Sequence, residues 1–479
     1  MNVGKIFVND RWVEPQSGPG TPALDFIRGE MGLKGAKEGC REGDCGACAV
    51  LVGEIIDPLG AGSEAGTGPE RGAGSGFRSN EARFRYRALP SCLLALGELE
   101  GKHLITIEGL SGGYGQDKQE RHDGGIEGGG RDMQGGAQEA SPNLVGLSPV
   151  MRAFLEENAS QCGFCSPGFI ISLTAWLCAP GQKDIEGALR AVDGNLCRCT
   201  GYGSIRRAAA RLCSEFADLP QAPLERLEAL VEAEAMPRSA LDYIGQAHGE
   251  RGSAAAESDP GEERDQPDGT LRRAIGGGTD FYVRNPYPEA GFSPRLVGKE
   301  SGLKTWSREE GDDGPWLRLG AAMSVSDFFA LPPVLELYPA LRSIEGEFAS
   351  TLVRNLATIG GNIANASPVG DLSCLFMGLG ARLELGGSGG GTRRIRIEDF
   401  FVDYKKTASA PGEIIKAILL PARPGLAFSF SKIAKRRSLD IAAVNSTLAF
   451  RIKDGRIREP RLSAGGVGPI PLLLKRSAA

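Results

Sequence analysis

GCREGDCGACAV, residues 39–50, sets Cys40, Cys45 and Cys48 at the spacing C-x4-C-x2-C, the ligand run of a short loop wrapped around a [2Fe–2S] cluster. Two iron ions must be enclosed by a backbone that bends repeatedly, and Gly39, Gly43 and Gly46 supply positions where positive φ is tolerated. Backbone N–H groups in such a loop can point at sulfur, stabilise thiolate charge and tune the reduction potential. A fourth thiolate has to come from downstream, and Cys92, in LPSCLLAL (89–96), is the only candidate before residue 162. A zinc knot usually repeats a C-x2-C pair, which the step from Cys40 to Cys45 fits poorly. A disulfide staple needs an oxidising compartment, which nothing in the sequence indicates.

The chain has 479 residues, 41% of them hydrophobic, enough for about three or four domains with real cores. Its net charge of −5 arises from Lys+Arg 55 against Asp+Glu 60 spread along the sequence, so no basic face is concentrated for nucleic acid or a membrane surface. The longest markedly apolar run, Phe169–Ala179, is too short to span a bilayer. The N-terminus carries no signal-peptide pattern, and a cytoplasmic protein is expected. Of the Cys 11 in the chain, Cys178, Cys213 and Cys374 sit among apolar neighbours and read as buried small hydrophobes.

Residues 1–111 read as a mixed unit: strands at Lys5–Val8, Ala49–Val52, Phe84–Leu89 and Leu104–Glu108, with Thr21 and Pro22 opening a helix through Met31. This is consistent with a β-grasp ferredoxin domain. Residues 57–83 and 112–142 are Gly-, Ser- and charge-rich and are expected to be disordered loops. His103 and His122 lie in or near them and are expected to be solvated. Residues 143–217 read as four helices, started at Ser148-Pro149, after Cys165, at Asp184 and at Ser204. QCGFCSPGF (161–169) and GNLCRCTGY (194–202) place Cys162, Cys165, Cys197 and Cys199 at the junctions of those helices. Turns there can gather four sulfurs, and helix N-termini favour thiolates. Residues 218–268 are expected to be a linker, helical at most over Leu224–Ala235.

A further α+β unit spans 269–422. Leu271–Ile275 reads as a strand entering GGGTD (276–280), Leu317–Gly320 as another strand, and Ser326 as a helix cap. The GGGTD glycines can let backbone amides approach an anion, and Gly360-Gly361 within RNLATIGGNIANASPVGD (354–371) suits a second such cradle. Each loop alone is equally an ordinary turn. Two of them downstream of two cysteine clusters favour a nucleotide cofactor.

At these residues the chain resembles the iron–sulfur and flavin subunits of the molybdenum hydroxylase family, in its xanthine dehydrogenase branch. KEGCREGDCGACAVLVG, SQCGFCSPGF, GNLCRCTGY, TIGGNIANASPVGD and KRRSLDIAAVN carry the resemblance, in order, over nearly the whole chain. It implies two [2Fe–2S] clusters and FAD on this chain, with molybdopterin on a large partner subunit in a heterodimer or heterotetramer. Xanthine or hypoxanthine would be hydroxylated on the partner, and electrons would pass through the clusters to FAD and then NAD+.

Position by position, the resemblance gives the flavin the segment Ala274, Ile275, Gly276, Gly277, Gly278, Thr279, Asp280 and Phe281. It adds Phe348, then Thr358, Ile359, Gly360, Gly361 and Asn362 at the pyrophosphate, and Asp371, Ile415 and Lys432. Core packing is the competing reading for Phe348 and Ile415, and a solvated charge for Lys432. The separation of Cys48 from Cys92 is longer than usual in the family. Residues 423–479 would be the start of a flavoprotein C-terminal lobe that is cut short. Three alternatives stay open: the iron–sulfur and flavin subunit of another molybdenum hydroxylase acting on a different N-heterocycle or an aldehyde, an iron–sulfur module with a vestigial flavin domain, and a structural zinc protein.

Overall fold

A computed structural model describes residues 3–56, 84–111, 146–253, 272–289, 291–300, 302–387, 391–436 and 438–475. The two Gly-rich insertions and His122 lie outside these residues. Among them, no helix is long and apolar enough to cross a membrane.

The N-terminal domain is a sheet of five strands in the order Arg11–Val13, Ile6–Val8, His103–Ile105, Ala49–Ile55 and Phe84–Pro90. The pairing of Ile6–Val8 with His103–Ile105 is parallel and the rest is antiparallel, as a β-grasp ferredoxin requires. The expected helix at 22–31 is a short turn, Ala23–Asp25, running into Phe26–Glu30 wound with i→i+5 bonds. Thr21 does not cap it. Residues 21–23 are instead pinned to the segment at 94–96, through Ala23 N to Leu94 O and Leu96 N to Thr21 O.

The helical domain follows its local signals closely. Ser148 Oγ accepts from Met151 N to start Pro149–Glu156, and Asp184 Oδ1 accepts from Gly187 N to start Ile185–Ala191. Ser166–Cys178 and Gly203–Glu215 complete the four. Ser166–Cys178 is buried on nearly every side. Its apolar cluster is continuous with Ala49, Leu51, Tyr86 and Ala88 of the ferredoxin sheet. The helix allowed at Leu224–Ala235 is present, but the described part of the linker is more ordered than expected. Pro223–Glu232 and Ser239–Ser253 are helices, and Leu227, Leu230, Met236, Ala240 and Tyr243 join the same cluster. Apolar residues at helical spacing outweigh the polar composition there.

His103 is the second correction: it is fully buried. Its place on an inner strand puts it among Phe7, Tyr86 and Tyr243. Nε2 faces the carbonyl of Asn9 at 2.9 Å and therefore carries the proton, so Nδ1 accepts from the Tyr86 hydroxyl at 2.9 Å. Burial drives the imidazole down from 6.5 to about 3. The unfolded chain thus binds this proton first as pH falls. Stability is full above about pH 6.5 and declines below it by about 1.4 kcal/mol per pH unit until about pH 3. His103→Gln should flatten the pH dependence of urea unfolding between those limits, and an unchanged slope would contradict the assignment.

The flavin-type domain has an antiparallel sheet ordered Thr392–Arg396, Arg382–Gly386, Ile414–Pro421, Gly314–Gly320 and Trp306–Gly311. Ala274–Ile275 pairs in parallel with Arg295–Leu296. The cap expected at Ser326 is Ser324, whose Oγ accepts from Asp327 N at 3.0 Å. A last antiparallel sheet runs Leu426–Ile433, Val444–Lys453, Arg456–Gly465 and Leu472–Leu473. Asp371–Leu379 packs against it.

Candidate iron–sulfur and flavin site

The eight cysteines singled out by spacing fall into pairs. Cys48 Sγ lies 3.4 Å from Cys92 Sγ, and Cys199 Sγ lies 3.7 Å from Cys162 Sγ. Cys40 is within hydrogen-bonding reach of Cys45, and Cys165 of Cys197. Every cysteine is free. Two pairs in each loop can supply two thiolates to each iron of a [2Fe–2S] cluster. Among the described residues, no set of three or more His, Cys, Asp or Glu converges on a single ion.

Gly43 and Gly46 do take positive φ, at 79° and 64°. Gly39 does not, and serves by proximity: a Cβ there would sit 2.8 Å from Cys45 Sγ. The Cys40 thiol is drawn down to about 5, first by Cys45 and then by the N–H groups of Glu42, Asp44 and Cys45. Cys45 is pushed up in turn, because one proton serves both sulfurs. Burial would raise Cys197, but the Thr200 hydroxyl at 3.2 Å and its N–H at 3.5 Å more than offset it. Of the remaining cysteines, Cys374 is buried as expected, whereas Cys178 and Cys213 are half-buried.

The two loops touch. Leu196 N donates to Cys45 O at 3.0 Å, and Asn195 Nδ2 to Gly46 O at 3.4 Å. The outer loop opens to solvent: Cys162 and Cys199 are exposed, beside Phe164 at 46%, Leu196 at 40% and Tyr202 at 43% exposure.

The flavin candidates form two groups. In the first, GGGTD packs on the segment at 356–358. A Cβ on Gly276 would lie 2.5 Å from Thr358 Oγ1, and one on Gly277 only 1.9 Å from Leu356 O. Gly278, at φ 75°, opens Thr279–Arg284, preceded by Ala274 and Ile275. Asp280 pairs with Arg284 at 3.0 Å, and Phe281 stacks on Phe292 at 5.0 Å.

The expected amide cradle at 358–362 is already engaged. Ile359 N donates to Met323 O, Gly360 N to Ala321 O, Gly361 N to Thr358 Oγ1 and Asn362 N to Thr358 O. What the segment offers a ligand is the Asn362 amide, whose Oδ1 is buried without a partner. Its sequence partners at 321 and 323 gave no local signal.

In the second group, Phe348 is buried and stacks on Phe430 at 4.9 Å. Asp371 Oδ2 meets Lys432 Nζ at 2.7 Å and Asp371 Oδ1 accepts from Asn445 Nδ2 at 2.7 Å. Lys432 Nζ also donates to Glu347 O at 2.7 Å, so this lysine is no solvated charge. Burial raises the Asp371 carboxyl despite Lys432 beside it. Ile415 packs in the apolar core with Ile359 and Phe348. Asn445 and Glu347 were not singled out in the sequence, although Asn445 ends KRRSLDIAAVN.

The partnerless buried atoms Asn362 Oδ1, Asn445 Oδ1 and Ser373 Oγ fit a polar ligand such as FAD. The cavity that Gly276, Gly277 and Thr358 help to line holds about 70 Å³, far below what a dinucleotide occupies.

Three family models match the chain: "[2Fe-2S] binding domain" at 135–210, "FAD binding domain in molybdopterin dehydrogenase" at 296–423, and "CO dehydrogenase flavoprotein C-terminal domain" at 429–479. Xanthine dehydrogenase 1 of Arabidopsis thaliana is 28% identical over 98% of this chain and 35% of its own. Xanthine dehydrogenase/oxidase of Felis catus is 29% identical over 96% of this chain and 34% of its own. A solved carbon monoxide dehydrogenase from Hydrogenophaga pseudoflava matches at 24% identity and a TM-score of 0.37, over 42% of this chain and 69% of that one. The three models and the curated relatives support an iron–sulfur and FAD-binding part similar to that of molybdenum hydroxylases. It spans about a third of the length of those relatives.

Proposed function

We propose that this chain is the electron relay of a xanthine dehydrogenase. In this reading Cys40, Cys45, Cys48 and Cys92 hold one [2Fe–2S] cluster, and Cys162, Cys165, Cys197 and Cys199 hold the other. The observation that carries it is the pairing of eight sulfurs in two loops joined by the Leu196–Cys45 hydrogen bond. The exposed rim of Phe164, Leu196 and Tyr202 suits the docking of a molybdopterin-bearing subunit that hydroxylates the purine. FAD, when bound, would accept electrons from the clusters and pass them to NAD+. On this chain Thr358 and Asn362 would face its diphosphate, and Asp371, Lys432 and Phe348 the rest of the cofactor.

Co-purification with the molybdopterin subunit, followed by xanthine-dependent NAD+ reduction, tests the reading. Turnover with another azaheterocycle or an aldehyde, but not xanthine, would move the substrate and keep the relay. A second reading, a relay without flavin, is favoured by the engaged amides of 359–362. Iron and sulfide without flavin in the purified complex would select it.

A further inference from the structure

Thr351–Leu356 belongs to the flavin-type domain, yet it touches both cysteine loops. At its start, Thr351 N donates to Asp193 Oδ1 at 2.7 Å and Thr351 Oγ1 to Arg190 O at 2.8 Å. A Cβ on Gly194 would lie 2.7 Å from Ser350 Oγ. Asp193 and Gly194 lead directly into Asn195, Leu196 and Cys197. In the middle of the helix, Val353 Cγ2 lies 3.2 Å from where a Cβ on Gly43 would be, inside the Cys40–Cys48 loop. At its end, Asn355 Nδ2 donates to Ala88 O at 3.1 Å, on the strand that leads to Cys92. The chain then runs through Leu356 into Thr358.

Arg354 locks this wedge. It is 3% exposed. Its guanidinium donates to Phe348 O at 2.8 Å, Ala349 O at 3.1 Å, Thr351 Oγ1 at 2.8 Å and Asp193 Oδ2 at 3.2 Å. Glu345 stands 3.7 Å from Nε. Both Nη atoms are held, while Nε is buried without a hydrogen-bond partner, and a planar fork held at two atoms fixes geometry far better than an apolar contact does. It also ties Phe348, a flavin candidate, to the loop that carries Cys197.

We propose that Arg354 and Asp193 are positioning residues of the electron relay, holding the two cysteine loops and the flavin-binding segment at one spacing. This rests on the relay reading above. Electron tunnelling falls exponentially with edge-to-edge distance, so a small loosening of the wedge slows transfer while leaving each centre's own chemistry intact.

The test uses the full chain loaded with iron, sulfide and FAD, comparing the parent with Asp193→Asn, Thr351→Val and Arg354→Lys. Asp193→Asn keeps a hydrogen-bonding amide but drops the charge. Thr351→Val removes only the hydroxyl contacts and serves where Asp193→Asn does not fold. Three quantities are read: iron content, the magnetic splitting between the two reduced centres in paramagnetic resonance, and the stopped-flow rate of flavin reduction after dithionite. The expected result is parental iron content and unchanged g-values, an altered splitting, and flavin reduction slower by on the order of tenfold or more. Arg354→Lys, which cannot fork, should slow flavin reduction at least as much as Asp193→Asn. Parental rate and splitting in an iron-replete variant would overturn the inference, as would a slower rate with unchanged splitting. A parent chain that binds no iron would overturn the relay reading itself, which keeps the two failures apart.

Discussion

Cys92→Ser halves the iron and sulfide bound by the full chain and extinguishes one of its two reduced paramagnetic signals. The expectation follows from where the sulfur lies. Cys92 is buried, 3.4 Å from Cys48 Sγ, and held by the neighbouring Ser91, whose hydroxyl donates to Cys48 O at 2.7 Å. A di-iron cluster needs all four thiolates, and a hydroxyl at this depth is a poor replacement. The loop at 162–199 draws its sulfurs from other residues, so its signal should persist. Cys374→Ser, in the last helix, is the control that should bind as much iron as the parent. Unchanged iron content in Cys92→Ser would remove Cys92 from the ligand set.

The second large effect is Gly277→Ala. The added methyl would meet Leu356 O at 1.9 Å, Leu356 C at 2.6 Å and Ala357 Cα at 3.0 Å. All three are backbone atoms, so no rotamer change relieves the clash. The GGGTD loop must move off the segment that leads into Thr358, at a cost of about 1–3 kcal/mol or more. Flavin content should fall by about tenfold or more, by RT ln 10 arithmetic on that cost, while iron content stays at the parental level. Gly245→Ala meets nothing within 4 Å and should leave both unchanged. Retention of flavin by a folded Gly277→Ala chain would exclude this loop from the flavin site.

The parts of the molecule visible in its sequence are those set by neighbours along the chain. The cysteine loops show themselves because a cluster imposes short spacings. The helices at 149–215 show themselves because Ser148 and Asp184 are caps acting within three residues. What sequence hides is decided by distant partners. His103 looks like a surface histidine until Phe7, Tyr86 and Tyr243 close over it. The glycines at 276, 277 and 360 look like an anion cradle, and prove to be places of close packing, Gly276 against the Thr358 side chain and Gly277 and Gly360 against another stretch of backbone. Residues 218–268 look like a tether by composition, with a helix legible only over Leu224–Ala235, yet Ser239–Ser253 is helical as well. Lys432 could be weighed only as a charge, because Asp371 and Glu347 lie far away in sequence.

The helix Ser166–Cys178 has almost no outer side. It shares one apolar cluster with the ferredoxin strands as well as with its own helical neighbours. A gene split between these two modules would therefore give products that each carry a raw, sticky flank, so they are expected to be inherited, duplicated and recombined as a single piece. The flavin-type domain has a core of its own, with only a few residues such as Leu352, Tyr282 and Leu356 joining the neighbouring clusters, and natural fission or exchange of partners should fall on that side.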